Sequence, residues 1–500
     1  MKMRDEKRRI SLNSNIKIIS GVILLLFIAI MGYMLYFQAV MAEDIAAKPG
    51  NVRSAVERNR VLRGTIYDRN GGVLSYSERQ DSGSQLRIYQ GGEYFAQTLG
   101  YVSKSGITGL ESYMDKLLVK DEFEMNISRD NLLEVLKDPS KIINRTKLGN
   151  NVVTTLDREL QMRAYELLGD SVGSSGSIVA MNPRTGEVLA MVNRPSYDPN
   201  TLEERYSELN ALNHDDGVFL NKAGRGTYFP GSTFKIVTLV AALENLEGVE
   251  DRIFTDNGLL DVNVGKDLPN VNGNKYGKID LQEAFAVSSN VVFGGLAIEL
   301  GGSELADVAG RFGFNKDISL EDMTVGKSIF TAYDKRDDGA LAASGIGQTG
   351  VSTHPLQMAM IASAIANDGR LMTPRIVNSI LKYDGTTKEK FEPSLYSTVT
   401  NVSVAQTVKA YMKNNVDTGK SDTMRALSGI RGAGKTGTAE DKYKSTDGTT
   451  TDVVNSWFVG FAPFEDPEIA IAVVVLDGGS GGGKAASIAT ELMTWYTENR

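Results

Sequence analysis

Residues 18–37 form an apolar run without a charged side chain, IISGVILLLFIAIMGYMLYF. About 20 such residues are what an α-helix needs to cross the hydrocarbon core of a bilayer. Glu43 and Asp44 follow the run, and basic residues precede it: Lys2, Arg4, Lys7, Arg8, Arg9 and Lys17. This asymmetry predicts a cytoplasmic tail over residues 1–17, a transmembrane anchor over 18–39 and an extracytoplasmic remainder.

The alternative to a retained anchor is a cleaved signal peptide, with Val40-Met41-Ala42 as the cleavage site. Signal peptides have apolar cores of about 7–15 residues, and this run is longer. We therefore predict a single-pass protein of the cell membrane, with no second span after residue 40.

Composition limits the chemistry of the outer part. The chain has no cysteine, which excludes disulfides, cysteine nucleophiles and thiolate metal sites. Its only histidines are His214 and His354, too few for a typical zinc site, and a Ser-His-Asp triad would have to use one of them. A net charge of −8 argues against nucleic acid as a partner. We expect no metal, no cofactor and a nucleophile that relies on a base other than histidine.

The outer part divides into two regions by pattern. Residues 40–150 mix a tight-turn hairpin, glycine-rich loops and charged stretches, and predict a small, irregular α+β module. From residue 151 to 500, apolar hairpins over 176–193 and 456–478 frame a long, mostly helical stretch. Strands at both ends and helices between them predict a central antiparallel sheet flanked by helices, so the expected fold class is α+β.

The stretch GTYFPGSTFKIVTL, residues 226–239, places a hydroxyl beside an amine. Pro230-Gly231 break the chain before Ser232, and the residues after it are apolar nearly all round, which predicts a buried helix. Residues i and i+3 are neighbours on a helix, so Lys235 projects beside Ser232. A neutral amine there can take the hydroxyl proton, provided that burial or a second cation lowers the lysine pKa from about 10.4.

Ser-x-x-Lys also occurs by chance in this chain, at 14–17 and 379–382, and two further elements distinguish Ser232. Residues 288–290 read Ser-Ser-Asn, and residues 435–438 read Lys-Thr-Gly-Thr. The ordered trio Ser-x-x-Lys, Ser-x-Asn and Lys-Thr-Gly is the signature of penicillin-binding proteins and serine β-lactamases.

The residue types suit an acyl transfer with Ser232 as nucleophile and Lys235 as its base. Asn290 can hold a substrate amide, and Ser288 can relay a proton between Lys235 and a leaving amine. The backbone N–H groups of Ser232 and Thr438 form the natural oxyanion-hole pair.

The third element supplies charge and space. Lys435 is the second cation that keeps Lys235 neutral, and with the hydroxyls of Thr436 and Thr438 it can bind a substrate carboxylate. Gly437 has no side chain, so substrate and the serine helix can approach its strand.

With these motifs the sequence resembles the class B penicillin-binding proteins, monofunctional peptidoglycan D,D-transpeptidases, over nearly its whole length. Four more segments are similar to segments of that family: RGTIYDRNGGVLS (63–75), GITGLESYMDKLL (106–118), AMNPRTGEVLAMVNRPSYDPN (180–200) and ASGIGQTGVSTHPLQMAM (343–360). Unrelated β-lactamases would not share these four segments.

The resemblance implies an αβα transpeptidase domain over 151–500 on a pedestal, or dimerisation-like domain, over 40–150. It implies an enzyme that cross-links stem peptides of peptidoglycan and its lipid-linked precursor, and that β-lactams inhibit by acylating Ser232. The pedestal is short, as in the compact subgroup of some Gram-positive bacteria. No glycosyltransferase domain is evident, so we expect a membrane-embedded glycosyltransferase as partner.

Other readings remain open at this point. A serine β-lactamase or a D,D-carboxypeptidase would use the same residues with water as acceptor, although the anchor and the pedestal segments argue against both. A scaffold for division or elongation, or a β-lactam sensor, would be non-enzymatic, and a sensor would need more than a tail of about 17 residues inside the cell. The sequence does not distinguish roles in elongation, division and sporulation.

The remaining features have structural interpretations. His214 and His354 are predicted to be loop or capping residues. The other segments with such an interpretation are an acidic solvated loop (213–217), a core helix (357–369), a mobile loop beside the groove (441–452) and a flexible glycine-rich connector (477–483).

Overall fold

The computed structural model describes residues 2–37, 60–104, 106–120, 147–169, 175–211, 217–318, 320, 322–419, 422–444, 450–480 and 482–499. His214, most of the acidic stretch 213–217 and the pedestal segments 40–59 and 121–146 lie outside the described residues.

The helices follow one another along the described chain. They are α1 (Lys2–Tyr36), α2 (Ala96–Leu99), α3 (Gly109–Tyr113), α4 (Asp115–Leu118), α5 (Arg158–Gly169), α6 (Leu202–Ala211), α7 (Lys222–Arg225), α8 (Lys235–Asn245), α9 (Leu281–Ala286), α10 (Asn290–Leu300), α11 (Gly302–Arg311), α12 (Asp338–Gly345), α13 (Pro355–Ala366), α14 (Val402–Asp417), α15 (Asp422–Ala426) and α16 (Lys484–Glu498). Short 3₁₀ turns lie at Gly92–Tyr94, Pro199–Thr201, Gly231–Phe234, Val249–Asp251, Val271–Gly273 and Leu427–Ile430.

The strands are mostly short, except for those of the central sheet. They are β1 (Val61–Leu62), β2 (Ile66–Tyr67), β3 (Val73–Arg79), β4 (Gln85–Tyr89), β5 (Val102–Ser103), β6 (Gly106–Ile107), β7 (Lys147–Leu148), β8 (Asn151–Thr154), β9 (Ser175–Met181), β10 (Val188–Arg194), β11 (Ile253–Asp256), β12 (Leu259–Leu260), β13 (Leu268–Pro269), β14 (Gly277–Asp280), β15 (Ile329–Phe330), β16 (Val351–Ser352), β17 (Arg370–Met372), β18 (Val377–Leu381), β19 (Thr387–Lys390), β20 (Leu395–Thr398), β21 (Ala433–Lys444), β22 (Thr450–Ala462) and β23 (Ile469–Leu476).

The apolar N-terminal run lies in α1, as expected. Its segment Lys17–Met34 has a mean hydropathy of 2.2, and none of it is buried against the rest of the chain. It is the one helix in the described residues that is long and apolar enough to cross a membrane.

The central sheet is antiparallel, in the order β10-β9-β23-β22-β21. Its inner strands are continuous apolar runs because both faces are covered. One face packs against α5 and α16, and the other against a helical layer that includes α8 and α13. The predicted antiparallel sheet flanked by helices is confirmed, and β21 is one of its two edge strands.

A second sheet joins the pedestal to the larger domain. Its order is β19-β18-β8-β2-β3-β4, so strands after residue 150 complete a sheet begun by residues 66–89. The predicted boundary at 150/151 therefore falls within one sheet, because strands from both sides of it pair with each other.

A buried ion cluster holds the pedestal together. It consists of Arg63, Arg87, Glu111 and Asp115. Glu111 is 0% exposed, and its two carboxylate oxygens lie 2.6 Å from Arg63 Nε and 2.7 Å from Arg87 Nε. Arg63 also contacts Asp115.

The structural interpretations are confirmed for His354 and for the methionine-rich helix. His354 caps α13 by accepting a hydrogen bond at Nδ1 from Gln357 N, and burial lowers its pKa to about 4. Every residue of α13 is buried. The chance Ser-x-x-Lys at 379–382 lies on and just after strand β18.

One loop prediction was wrong for the described residues. β21 continues to Lys444 and β22 begins at Thr450, so most of 441–452 extends the hairpin through paired strands. The described residues of the glycine-rich stretch connect β23 to α16 outside any helix or strand, as predicted. Two hydrogen bonds join this connector to β22: Gly479 N donates to Val454 O at 3.0 Å, and Ser456 Oγ donates to Ser480 O at 3.0 Å.

Candidate active site

Ser232 lies in the 3₁₀ turn Gly231–Phe234, which runs directly into α8. In a 3₁₀ turn residues i and i+3 eclipse, so this turn aligns Ser232 with Lys235. Ser232 is partly exposed, whereas Lys235 is 0% exposed. Gly231 has a φ of +54°, and a Cβ there would lie 2.3 Å from Thr438 O, so only glycine fits before the serine.

The segment 343–350 fixes the serine turn from the other side. Gly231 N donates to Gly347 O at 2.9 Å, and Thr238 Oγ1 donates to Gly345 O at 2.7 Å. This segment belongs to residues 343–360, for which the family resemblance predicted no specific function. The structure shows that its carbonyl groups hold the start of α8.

Ser288 and Asn290 flank the N-terminus of α10 and face Lys235. Lys235 Nζ lies 2.7 Å from Ser288 O, 3.1 Å from Ser288 Oγ and 2.8 Å from Asn290 Oδ1. Ser288 has a φ of +59°, a left-handed conformation that a serine adopts at an energetic cost. Strain of this kind persists only where the surroundings fix it, as at a functional site.

The third motif lies on the edge strand β21, against the serine turn. A Cβ at Gly437 would lie 2.9 Å from Pro230 O and 3.1 Å from Thr233 N, so the missing side chain permits this approach, as predicted. Thr436 and Thr438 are partly exposed on the same strand, while Lys435 is 1% exposed and points inward.

The two lysines share an apolar floor that sequence reasoning missed. Lys235 Nζ lies 5.7 Å from the centre of the Phe293 ring, and Lys435 Nζ lies 5.6 Å from that of Phe285. The two rings are 5.9 Å apart. Nothing in the sequence distinguished these phenylalanines from ordinary core residues.

The electrostatics match the predicted pair of buried amines. Burial, and then the nearby Lys435, hold the pKa of Lys235 well below its ordinary value, although Asp256 opposes them. Burial lowers the pKa of Lys435 to about 7. Within the described part of the chain, neither amine lies within 4 Å of a carboxylate, so no ion pair there offsets the desolvation of the charged form, and the hydrogen bonds that each amine donates go to neutral acceptors.

One contact differs from the expectation. Among the described residues Ser232 Oγ has no hydrogen-bond partner, and Lys235 Nζ is occupied by the second motif instead. Catalytic hydrogen bonds are often formed only once substrate is bound. No group of histidine, aspartate and glutamate in the described residues could hold a metal ion.

Two protein families match successive parts of the chain. Residues 63–139 match the penicillin-binding protein A dimerisation domain, and residues 176–494 match the penicillin-binding protein transpeptidase domain. The chain belongs to the class B penicillin-binding proteins. The transpeptidase match begins at β9, the first strand of the central sheet, and ends within α16.

Known relatives of this penicillin-binding protein are similar to it in sequence and structure over most of the chain. Peptidoglycan D,D-transpeptidase PbpA of Mycolicibacterium smegmatis is 32% identical over 95% of the chain and 97% of that protein. The ceftriaxone acyl-enzyme complex of penicillin-binding protein A from M. tuberculosis has a TM-score of 0.77 and 29% identity, covering 88% of this chain and 99% of that one. The D,D-transpeptidase domain of a peptidoglycan glycosyltransferase from Eggerthella lenta has a TM-score of 0.75 and 31% identity, covering 88% of this chain and 99% of that one.

Proposed function

We propose that this penicillin-binding protein is a peptidoglycan D,D-transpeptidase that works through an acyl-enzyme on Ser232. The observation that carries the proposal is Lys235: a fully buried amine without a carboxylate partner among the described residues, one 3₁₀ turn after a partly exposed serine. The names of the relatives and the acyl-enzyme title of a similar structure support the same activity.

In the acylation step, Ser232 Oγ attacks the carbonyl carbon between the last two D-alanines of a stem peptide, and Lys235 takes its proton. The N–H groups of Ser232 and Thr438 stabilise the oxyanion. Ser288, 3.1 Å from Lys235 Nζ, passes the proton to the amine of the leaving D-alanine as the peptide bond breaks. Lys435, Thr436 and Thr438 bind the terminal carboxylate, and Asn290 binds the amide of the donor peptide.

In the deacylation step, an amine of a neighbouring stem peptide attacks the ester carbonyl. The amine loses a proton toward Ser288 and Lys235, and Ser232 leaves and regains a proton. The product is a peptide cross-link. A β-lactam acylates the same serine, but its ring-opened leaving group stays attached and blocks the acceptor amine.

The direct test is intact-mass spectrometry of the full chain in detergent after incubation with penicillin. We expect one long-lived adduct that Ser232→Ala abolishes. Ser379→Ala, in the chance Ser-x-x-Lys, is the matched control and should keep the adduct. An adduct that persists in Ser232→Ala would overturn the assignment, and rapid turnover of the drug would indicate a β-lactamase.

Transpeptidation and carboxypeptidation differ in the acceptor. Stem peptides ending in D-Ala-D-Ala should be supplied with and without an amine acceptor peptide. When the acceptor is present, we expect cross-linked product to form and the hydrolysed product to decrease. Release of D-alanine with no cross-linked product at any acceptor concentration would instead identify a D,D-carboxypeptidase.

We also propose that α1 spans the cell membrane with residues 1–17 inside, which the basic residues before the apolar run support. The absence of cysteine makes the test clean. In intact cells, a membrane-impermeant maleimide should label Asp81→Cys, at an exposed position, and should not label Asn13→Cys. The reverse pattern would overturn the orientation.

A membrane-embedded glycosyltransferase is the partner we propose for this anchor, since neither matched family is a glycosyltransferase. Photo-crosslinking from positions within residues 18–37 should recover a polytopic glycosyltransferase. Recovery of other membrane proteins alone would contradict this part of the proposal.

A further inference from the structure

The segment before the second motif contains a buried carboxylate to which the reaction assigns no task. Asp256 ends strand β11 and is 0% exposed. Within the described residues it has no lysine or arginine within 4 Å, so its charge is not neutralised by an ion pair. A carboxylate buried in this way is costly unless hydrogen bonds compensate it.

Asp256 is compensated by hydrogen bonds from three parts of the chain. Ser289 Oγ donates to Oδ2 at 2.6 Å, and Gly258 N donates to Oδ1 at 2.9 Å. Asn270 Nδ2 donates to both oxygens, at 2.8 and 2.9 Å. One donor, Ser289, lies between Ser288 and Asn290.

Asn270 links Asp256 to the first residues of α10. Its Oδ1 accepts from Asn290 N at 2.7 Å and from Val291 N at 3.2 Å, two N–H groups that a helix leaves without internal partners. The carbonyl of Pro269, its neighbour, accepts from Asn290 Nδ2 at 2.9 Å. The other end of that amide, Oδ1, accepts from Lys235 Nζ.

We infer that Asp256 is a positioning residue of the acylation reaction: through Ser289 and Asn270 it fixes Ser288 and Asn290 against Lys235. This inference rests on the proposed function. Ser288 is held in a left-handed conformation, which persists only where the surrounding structure fixes it. Asp256 holds Ser289 directly, and Asn270 holds the backbone of Asn290, so the two residues after Ser288 cannot shift.

Asp338 provides a matched control for burial and loop tethering. It is 6% exposed and accepts hydrogen bonds from Asn263 N, Asn263 Nδ2 and Val264 N, in the same insertion between α8 and α9. None of its partners belongs to a catalytic motif. A purely structural role for Asp256 would make the two aspartates equivalent.

The test compares Asp256→Asn with Asp338→Asn in the full chain. For each variant we would measure the acylation rate constant and the dissociation constant for penicillin, and normalise the signal to the fraction of protein that can be acylated. A shift of about 1 Å at reacting groups can cost about 100-fold in rate. We expect Asp256→Asn to lower the acylation rate constant about 10- to 100-fold and to raise the dissociation constant by a smaller factor, because the amide contact of Asn290 shifts while the carboxylate-binding strand β21 is untouched. Asp338→Asn should leave both constants unchanged.

Exchanging the two polar partners gives a second readout. An amide at 256 keeps one oxygen that can accept from Asn270 Nδ2, but it replaces the other oxygen with an NH₂ group that cannot accept from Asn270 or Ser289. Asn270→Asp alone places two carboxylates together and loses the hydrogen bond that Asn270 Nδ2 donates to Asn274 O. The double variant Asp256→Asn/Asn270→Asp also loses that bond, but it lets the new amide donate to the new carboxylate, which can still accept from Asn290 N. We expect it to acylate at least about fivefold faster than either single variant.

Three results would overturn the inference: a wild-type acylation rate in Asp256→Asn, an equal loss in Asp338→Asn, or an exchange variant no faster than the singles. If Asp256→Asn does not fold, Ser289→Ala removes one of the two arms, together with the N-cap hydrogen bond from Val292 N at 3.0 Å, and should lower the acylation rate constant as well as the melting temperature. Failure of the wild-type chain to form any adduct would instead sink the proposed function, so the two failures are distinct.

Discussion

Two regions of this molecule bury charged side chains equally deeply, with opposite electrostatic results. In the pedestal ion cluster, burial disfavours the charged forms, but the ion pairs stabilise them by more than burial costs. The pKa of Arg63 is therefore raised, and the pKa of Glu111 is lowered by Arg87 and Arg63. In the active site burial prevails, and the pKa values of Lys235 and Lys435 both fall. The difference lies in the partners, since Glu111 faces two guanidinium groups and Lys235 faces neutral acceptors and another lysine.

The comparison separates what holds this protein together from what makes it react. A fully paired buried cluster fixes structure, and breaking it leaves an uncompensated charge. A buried amine without a counter-ion has a lowered pKa, which favours its neutral, nucleophile-activating form at the expense of stability. Substitutions in the two regions should therefore give opposite patterns of activity and stability.

The largest effect is expected for Lys235→Met. Loss of the general base should lower the acylation rate constant about 10²- to 10⁴-fold, measured by fluorescent penicillin labelling over time. The melting temperature should change little, because an apolar side chain suits the phenylalanine floor while Ser288 O and Asn290 Oδ1 lose a donor. A large loss of stability with a normal acylation rate would show that Lys235 is structural.

Glu111→Gln should show the reverse pattern. Removing the shared partner of Arg63 and Arg87 should lower the free energy of unfolding by about 3–5 kcal/mol, measured by denaturant titration. The rate of acylation per folded molecule should not change. Because the folded-state pKa of Glu111 is lowered, its stabilisation is present at neutral pH and is lost as the pH falls through that pKa.

The control for this variant is Glu208→Gln. Glu208 forms an ion pair with Arg205 at 2.7 Å, but both side chains are exposed, so no measurable change in stability is expected. An equal loss of unfolding free energy in Glu111→Gln and Glu208→Gln would mean that burial does not make the ion cluster more stabilising than an exposed ion pair.

Lys435→Met should produce a smaller and mixed effect. The dissociation constant for penicillin should rise about tenfold, since the ligand carboxylate loses one charged partner. Stability should stay the same or increase. The folded-state pKa of Lys435 is about 7, so the wild-type chain loses stability relative to the variant as the pH falls from 10 to 7, and the gap is constant below that. Thermal melts of both proteins across that range test the sign.

Much of this architecture could be predicted from the sequence, because it depends on local patterns. The buried helix after Ser232 and the apolar hairpins of the central sheet both follow from periodicity and length. The three motifs were recognisable because their residue types and order carry the chemistry. Gly437 was predicted to allow a close approach, and the structure shows that approach.

What could not be predicted depends on distant pairing. Asp256 and Asn270 lie in a polar stretch with turn-forming residues, and only the fold brings them to Ser289 and Asn290. Glu111 was noticed only as part of a segment, since its partners are 48 and 24 residues away along the chain. The long β21–β22 hairpin was missed because charged and threonine residues at its tip resemble a loop.

The central claim is that burial and the nearby Lys435 hold the pKa of Lys235 well below that of an ordinary lysine, and the pH dependence of the acylation rate constant tests it most directly. At saturating penicillin we predict a constant that flattens between pH 7 and 9, because a base with a lowered pKa loses its proton at a lower pH than a free lysine does. In Lys435→Met the acid limb should move to higher pH, since a nearby cation that lowers the pKa of Lys235 is gone. A rate constant that rises about tenfold per pH unit across this range, as for a lysine with a pKa of about 10.4, would contradict the account.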